Sequence, residues 1–390
     1  MTSTTEIRDH FQRIPYEPAN DGRVEMHSGL SRHYPTLHAN LVASEGYSTD
    51  VGVIMCHPAS NFLSHFLLRA IAEQGVPAMG LNTRYASNEP ALIMERAAFD
   101  LGTGVRWMAD ELGFEKVVLL GFSGGGSLAS FYQAQAENPT VTQTPAGDPA
   151  PFATAGLRPA DALMLVGAHP GRARVLRHWI DGAVVDEADP YATEPDLDLY
   201  ARTTPLDPDW VRRYRDAQLA RMRRIDAWAL DQLAELGRIG ASDRGFVVHR
   251  TVADPRFVDL AIDPSDRELG SMYGDPEAAN TAAGGLARFV TVRSWLSTWS
   301  PDRTNADALT DLTSVHAPTM VMSLLGDQAA FAEDSRLMHA ALPGDAELIE
   351  MRDLNHYLVD QPGGLNDVVT RLAGWIRRTV LDDRTQEVPA

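Results

Sequence analysis

The chain is short of the residues that staple, anchor or carry positive charge. Of its 390 residues only one is cysteine, Cys56. No internal disulfide can form, which fits a reducing compartment. Cys56 lies inside the apolar run VGVIMCH and reads as a buried small hydrophobe rather than a reactive thiol. Lys116 is the sole lysine; the remaining cations are arginines, a bias that points to a GC-rich genome and not to a chemistry. Lys and Arg together number 34 against 53 Asp and Glu, a net charge of −19. Nucleic acid and anionic membrane surfaces would both repel such a chain. No stretch approaches about 18 consecutive apolar residues. The opening MTSTTEIRDHFQRIPYEP has no apolar signal-peptide core. A soluble, cytoplasmic protein is expected. There is no H-E-x-x-H, no cysteine pair and no carboxylate loop with calcium spacing, so no metal and no cofactor are expected. The expected partner is a small-molecule substrate, and a homodimer is an open assembly state.

What is present is enough apolar residue, 44% of the chain, to build a large packed interior. The length suits one large domain with an insertion, or two domains. Strand candidates are short continuous apolar runs: VGVIMCH (51–57), VPAMGLN (76–82), KVVLLGF (116–122), DALMLVGA (161–168), TMVMSLLG (319–326) and AELIEM (346–351). Runs without alternation are typical of strands covered on both faces, as in a parallel sheet. Helix-period segments separate several of them, at 62–75, 89–112 and 125–138. The pattern predicts an α/β fold with a mostly parallel central sheet and right-handed crossovers. RVEMHS (23–28) and LHANLVAS (37–44) are candidates for an antiparallel edge.

The alternation breaks from about 170 to 312, where five of the seven tryptophans fall. The expected organisation is an α/β core of 1–169 and 313–390 interrupted by a mainly helical insertion, 170–312. Its best helix is predicted over about 209–237, with Asp209 as N-cap and Gly237 as stop. Val211, Tyr214, Met222, Ile225, Ala229, Leu233 and Leu236 share one face. The arginines at 212, 213, 215, 221, 223 and 224 mostly lie off it and read as a solvated or salt-bridged surface. Residues 138–159 read as a long irregular loop.

The most specific signal is VVLLGFSGGG at 117–126. Gly121-Phe122-Ser123-Gly124-Gly125 fits G-x-S-x-G between an apolar strand and a helical segment. Such a turn strains the serine backbone, and side chains at 121 and 125 would collide. It lifts the Ser123 hydroxyl above the sheet edge and aims the Gly124 amide, at a helix N-terminus, into the same space. Ser127 stands where a P-loop needs lysine, and Ser123 takes the middle glycine of a dinucleotide fingerprint, so both phosphate-loop readings fail.

On these residues the chain resembles the α/β-hydrolase superfamily, over about 50–168 and 313–380. The resemblance implies a nucleophile elbow at Ser123, a serine–acid–histidine order along the chain, and a cap in the place of the insertion. His356, in RDLNHYL after the last strand candidate, falls where the superfamily carries its histidine. The acid is expected just past TMVMSLLG. There the usual G-x-x-D reads Gly326-Asp327-Gln328-Ala329, so Asp327 is the nearest carboxylate, with Glu333 and Asp334 as fallbacks. The second oxyanion donor is expected in the loop after VGVIMCH. Pro58 has no amide hydrogen, which leaves Ala59. His57 in that loop reads as structural or substrate-contacting. Asn82 and Arg84, in GLNTRY, end near the same sheet edge; Arg84 either orients a substrate carboxylate or phosphate or forms a structural salt bridge. The expected activity is a serine hydrolase acting on a medium-sized, mainly apolar carboxylic ester or lactone. A C–C bond hydrolase or amidase with the same triad, and a non-catalytic binding protein of the same fold, are the alternatives.

Overall fold

The computed structural model describes residues 6–16 and 32–381. Among them lie ten strands: β1 (Ile7–Pro15), β2 (Thr36–Ser44), β3 (Val51–His57), β4 (Ala78–Asn82), β5 (Lys116–Phe122), β6 (Ala162–Val166), β7 (Gly245–Val247), β8 (Phe289–Thr291), β9 (Thr319–Leu324) and β10 (Glu347–Met351). The described helices of eight or more residues are α1 (Phe66–Glu73), α2 (Met94–Arg106), α3 (Gly125–Glu137), α4 (Arg172–Trp179), α5 (Pro208–Ile239), α6 (Ala332–Ala341) and α7 (Pro362–Ile376). Eight strands form one sheet in the order β1-β2-β4-β3-β5-β6-β9-β10. β2 is antiparallel to β1 and β4, and the remaining pairs are parallel.

The continuous apolar runs are explained by cover on both faces. Along β3 and β5, Ile54, Cys56, Val117 and Leu119 pack on one side with Leu101 of α2 and Phe131 of α3. Their neighbours Val53, Met55, Val118 and Leu120 pack on the other with Leu68 of α1 and Leu372 of α7. A period-2 strand between two apolar layers needs no polar face. Burial also pushes the Cys56 thiol pKa up, which keeps it protonated and inert.

From β3 the chain crosses through α1 to β4 on one side, then through α2 to β5 on the other. The order reverses there, and a crevice at the carboxyl ends of β3 and β5 follows from that reversal. The antiparallel edge predicted from LHANLVAS is β2. Its outer partner is β1, from IRDHFQRIP, a segment the sequence reading left unassigned; RVEMHS lies outside the described residues. The segment predicted as helix from 89 enters α2 only at Met94, because Glu89–Ala91 forms a separate short turn containing Pro90.

β6 pairs directly with β9, so residues 167–318 leave the sheet and return to it. This excursion holds α4, α5, the small antiparallel pair β7–β8 and a core of its own that includes Met222, Ile225, Trp295 and Trp299. α5 is longer than predicted at both ends. Its N-cap is Asp207, not Asp209: the carboxylate accepts from the Asp209 and Trp210 amides, and Pro208 occupies the first helical position. Gly237 stays helical and Gly240, at φ 72°, ends the helix. Among the described residues no helix is long and apolar enough to cross a membrane.

Arg221 also departs from the surface role expected for the α5 arginines. It is fully buried. Its guanidinium makes two 2.8 Å bonds to the Glu187 carboxylate and donates to the carbonyls of Asp181, His249 and Arg250. One planar fork thereby ties three segments of the excursion to α5. Replacing it takes this donor from the Glu187 carboxylate and from the Asp181 and His249 carbonyls, while the Arg250 carbonyl keeps the Asp181 amide. Arg221→Ala is expected to destabilise the protein by about 2–4 kcal/mol, read as a lower urea midpoint. A midpoint within error of wild type would remove this role from Arg221.

Candidate active site

β5 ends at Phe122 and α3 begins at Gly125, which leaves two residues to reverse the chain. Ser123 meets that demand at φ +53°, in the left-handed region. For a side-chain-bearing residue this costs on the order of 1–3 kcal/mol and persists only where surroundings enforce it. They do so through three backbone bonds. The Ser123 amide donates to the Gly167 carbonyl at 3.2 Å, and the Ser123 carbonyl accepts from Gly126 at 3.0 Å and His169 at 3.4 Å. Close packing completes the clamp. A side chain on Gly121 would start 2.7 Å from the Cα of Gly126, and one on Gly126 would start 2.5 Å from the Cβ of Ala168. One on Gly125 would strike the Cys56 carbonyl of β3. The predicted clash between 121 and 125 is thus two separate clashes, one against residue 126 and one against the neighbouring strand. The Gly124 amide at the helix start has no hydrogen-bond partner among the described residues.

The carboxylate and the imidazole named from the sequence meet in the fold. His356 Nδ1 donates to Asp327 Oδ2 at 2.6 Å, and both side chains are buried. The other Asp327 oxygen accepts from the amides of Ala329 (2.6 Å) and Ala330 (2.9 Å). The carboxylate is therefore fully bonded and cannot turn away. With Nδ1 donating, Nε2 holds the lone pair of the neutral ring, and it makes no hydrogen bond among the described residues. The ring packs at 5.0 Å on Phe122, the residue before Ser123. The fallback acids serve α6 instead. Glu333 is exposed on its first turn, and Asp334 accepts from the Phe331 amide and faces Arg256.

Ser123 borders a cavity of about 390 Å³. Phe122 and His65 come from the sheet side, while Val175, Trp179, Met272, Tyr273 and Leu286 come from the excursion. Trp179 is the tryptophan of the excursion that reaches this wall; Trp295 and Trp299 belong to the excursion's own core. His57, His65 and His169 also line it. All three imidazoles are held neutral, chiefly by burial: His65 and His169 are pushed down to about 4, and His57 falls well below its ordinary value. Arg172 lies 4.4 Å over the Trp299 ring and pairs with Glu89. Burial lowers its pKa to about 10, which leaves it charged at neutral pH.

Three predicted contact residues have other employment. Arg84 does not border the cavity; it forms a bidentate pair with buried Asp100 and lies over the Tyr16 ring. Asn82 accepts from the Phe62 amide and donates to Asn61, shaping the loop after β3. The Ala59 amide donates to His57 Nδ1 at 3.1 Å, so this expected oxyanion donor is already engaged. His57 does border the cavity. Sequence reasoning missed His65, His169 and Arg172. His169 stands three residues past the end of β6, at the same carboxyl edge as Ser123, and that placement was a usable signal.

No family model and no curated protein matches this chain. Solved structures do. A hypothetical protein from Pseudomonas aeruginosa aligns at TM-score 0.52 and 13% identity, covering 97% of this chain and 95% of its own. An α/β hydrolase from Penicillium sp. sh18 aligns at TM-score 0.50 and 10% identity, covering 96% and 99%. An esterase domain from Rhodothermus marinus aligns at TM-score 0.46 and 11% identity, covering 95% and 98%. Similarity at these identities speaks to fold alone.

The neutral cavity imidazoles have a consequence for stability. Unfolded, they bind protons near 6.5; folded, His65 and His169 do so only near 4. Between those values unfolding takes up protons, so their contribution falls as pH drops. Asp334, raised to about 6 by burial, acts with the opposite sign. A comparison at fixed background separates them. The double variant His65→Gln, His169→Gln is expected to lose less Tm than wild type between pH 6.5 and pH 4.5. Parallel Tm curves would show that the two rings are not the acid-sensitive groups.

Proposed function

We propose that this chain, which has the α/β-hydrolase fold, is a serine hydrolase. The observation that carries the reading is the buried Asp327–His356 pair, whose imidazole, with Nε2 unbonded, packs on Phe122, the residue before the strained turn that holds Ser123 at a cavity. Strain of this kind is retained where it serves chemistry. The Ser123 oxygen bonds to the substrate carbonyl carbon while its proton passes to His356 Nε2. Asp327 keeps the Nδ1–H in place and stabilises the imidazolium. The Gly124 amide stabilises the resulting oxyanion. Collapse of the tetrahedral intermediate breaks the bond to the leaving oxygen, which takes the proton from His356. Water, deprotonated by the same nitrogen, then attacks the acyl-serine; collapse frees the acid and returns the proton to Ser123.

The cavity supports a medium-sized, neutral and mainly apolar carboxylic ester or lactone as substrate. Its volume suits a small organic molecule, and Phe122, Val175, Trp179, Met272 and Leu286 offer it an apolar wall. Its charged side chains, Arg172 and Glu89, pair with each other, and its histidines are neutral. An anionic or cationic substrate would have to break that pair. We read the excursion 167–318 as a cap, since it supplies one side of this wall.

A fluorophosphonate probe is expected to label wild type and not Ser123→Ala. With p-nitrophenyl esters, His356→Ala is expected to lose at least about 10³-fold in kcat, and Asp327→Asn about 10²–10⁴-fold, each with little change in Tm. Failure of the wild type to label and to turn over esters, lactones or amides would overturn the reading in favour of a binding protein. An Asp327→Asn effect under tenfold would remove Asp327 from the triad.

A further inference from the structure

The first three residues after β3 supply no free amide for a second oxyanion donor. Pro58 has none to offer. Ala59 and Ser60 both donate to His57 Nδ1, at 3.1 and 2.9 Å. A ring nitrogen that accepts two amides carries a lone pair, so the proton of neutral His57 sits on Nε2. Burial and the nearby Arg172 keep the ring neutral. Nε2 has no hydrogen-bond partner among the described residues, and the ring borders the cavity beside Ser123.

Its position is set by Gly124. Nε2 lies 2.5 Å from the point at which a side chain on Gly124 would begin. A backbone nitrogen stands about 2.5 Å from the Cβ position of its own residue. The Gly124 nitrogen and His57 Nε2 are therefore at most about 5 Å apart. One oxygen fits at about 2.9 Å from both. We propose that His57 Nε2–H is the second oxyanion-hole donor, in place of a backbone amide, which makes His57 a catalytic residue. The proposal rests on the serine-hydrolase reading above. The close approach also gives the absence of a side chain at 124 a reason: a Cβ there would meet the His57 ring. A neutral imidazole suits the role because it donates to developing charge and gives up no proton.

The test compares two variants of the full chain with p-nitrophenyl butyrate. His57→Phe keeps ring volume and loses both nitrogens. His57→Asn keeps an acceptor for the Ala59 and Ser60 amides, as in an Asx turn, but is too short to reach Gly124. Both are expected to lose about 10²–10³-fold in kcat with KM within about threefold, as for other oxyanion donors. Affinity for a trifluoromethyl ketone should fall by a similar factor, while the affinity of the product acid is unchanged. A wild-type kcat in His57→Asn would mean that the ring only shapes the loop, and would overturn the proposal. So would a His57→Phe variant within threefold of wild type. If circular dichroism shows His57→Phe unfolded, His57→Asn alone decides. A wild type inert to both the ester and a fluorophosphonate would overturn the hydrolase reading and the proposal with it; an active wild type isolates the proposal.

Discussion

The architecture of the site depends on one backbone constraint, the left-handed turn at Ser123. Four chain segments converge on it: the end of β5, the start of α3, the end of β3 and the loop after β6. Each is close enough that a single methyl group would not fit at Gly121, Gly125 or Gly126. A turn so confined has little freedom to relax, because relief of the Ser123 dihedral requires moving a strand. The hydroxyl, the Gly124 amide and the neighbouring rings are held by the packing of the sheet rather than by a mobile loop.

Around that turn, one residue type is used with opposite polarity. His356, His57 and His65 all lie at the site, and what Nδ1 does fixes what Nε2 can do. In His356, Nδ1 donates to Asp327, so Nε2 accepts. In His57, Nδ1 accepts two amides, and in His65 it accepts the Leu67 amide at the start of α1, so their Nε2 atoms carry the N–H of the neutral ring. Burial holds the His57 and His65 rings neutral without choosing which nitrogen keeps the proton. Local backbone geometry decides which is basic and which is electrophilic. In the proposed reaction the carboxylate beside His356 would offset the cost of charging it, and among the described residues no carboxylate bonds to either of the other two rings.

How much of this was legible depended on how local the determinant was. β3 and β5 have the boundaries read from their apolar runs, since burial on both faces leaves an unbroken signature. The serine turn was legible because glycine is the residue that close approach demands. β1 was not, because a one-sided edge strand such as IRDHFQRIP carries mostly polar residues and a weak alternation. Arg84 and Asn82 were placed at the correct edge of the sheet, and Arg84 forms the structural salt bridge offered as one of its two readings; the partners Asp100 and Phe62 lie elsewhere in the chain and could not be named from it. Arg212 and Arg223 of α5 are exposed and ion-paired as expected, and the departure at Arg221 has the same cause. Helical periodicity placed Arg221 off the apolar face, whereas Glu187 and three distant carbonyls draw it inside.

The loop after β9 shows why a motif can shift while the geometry it served is kept. The superfamily pattern asks for a carboxylate at 329, and the chain has alanine there. What His356 requires is an oxygen in the plane of its ring at hydrogen-bond distance, wherever along the loop it is attached. Asp327, three residues past the end of β9, reaches that point, and its second oxygen needs donors of its own. Ala329 and Ala330 supply them from the backbone, in a turn closed on the carboxylate itself. Ala329 in turn lines the cavity. A carboxylate at 329 in this loop shape would face the cavity and add a charge beside the Arg172–Glu89 pair. The small residue and the earlier acid are therefore one solution, in which the loop keeps its anion against the histidine and presents a methyl group to the cavity.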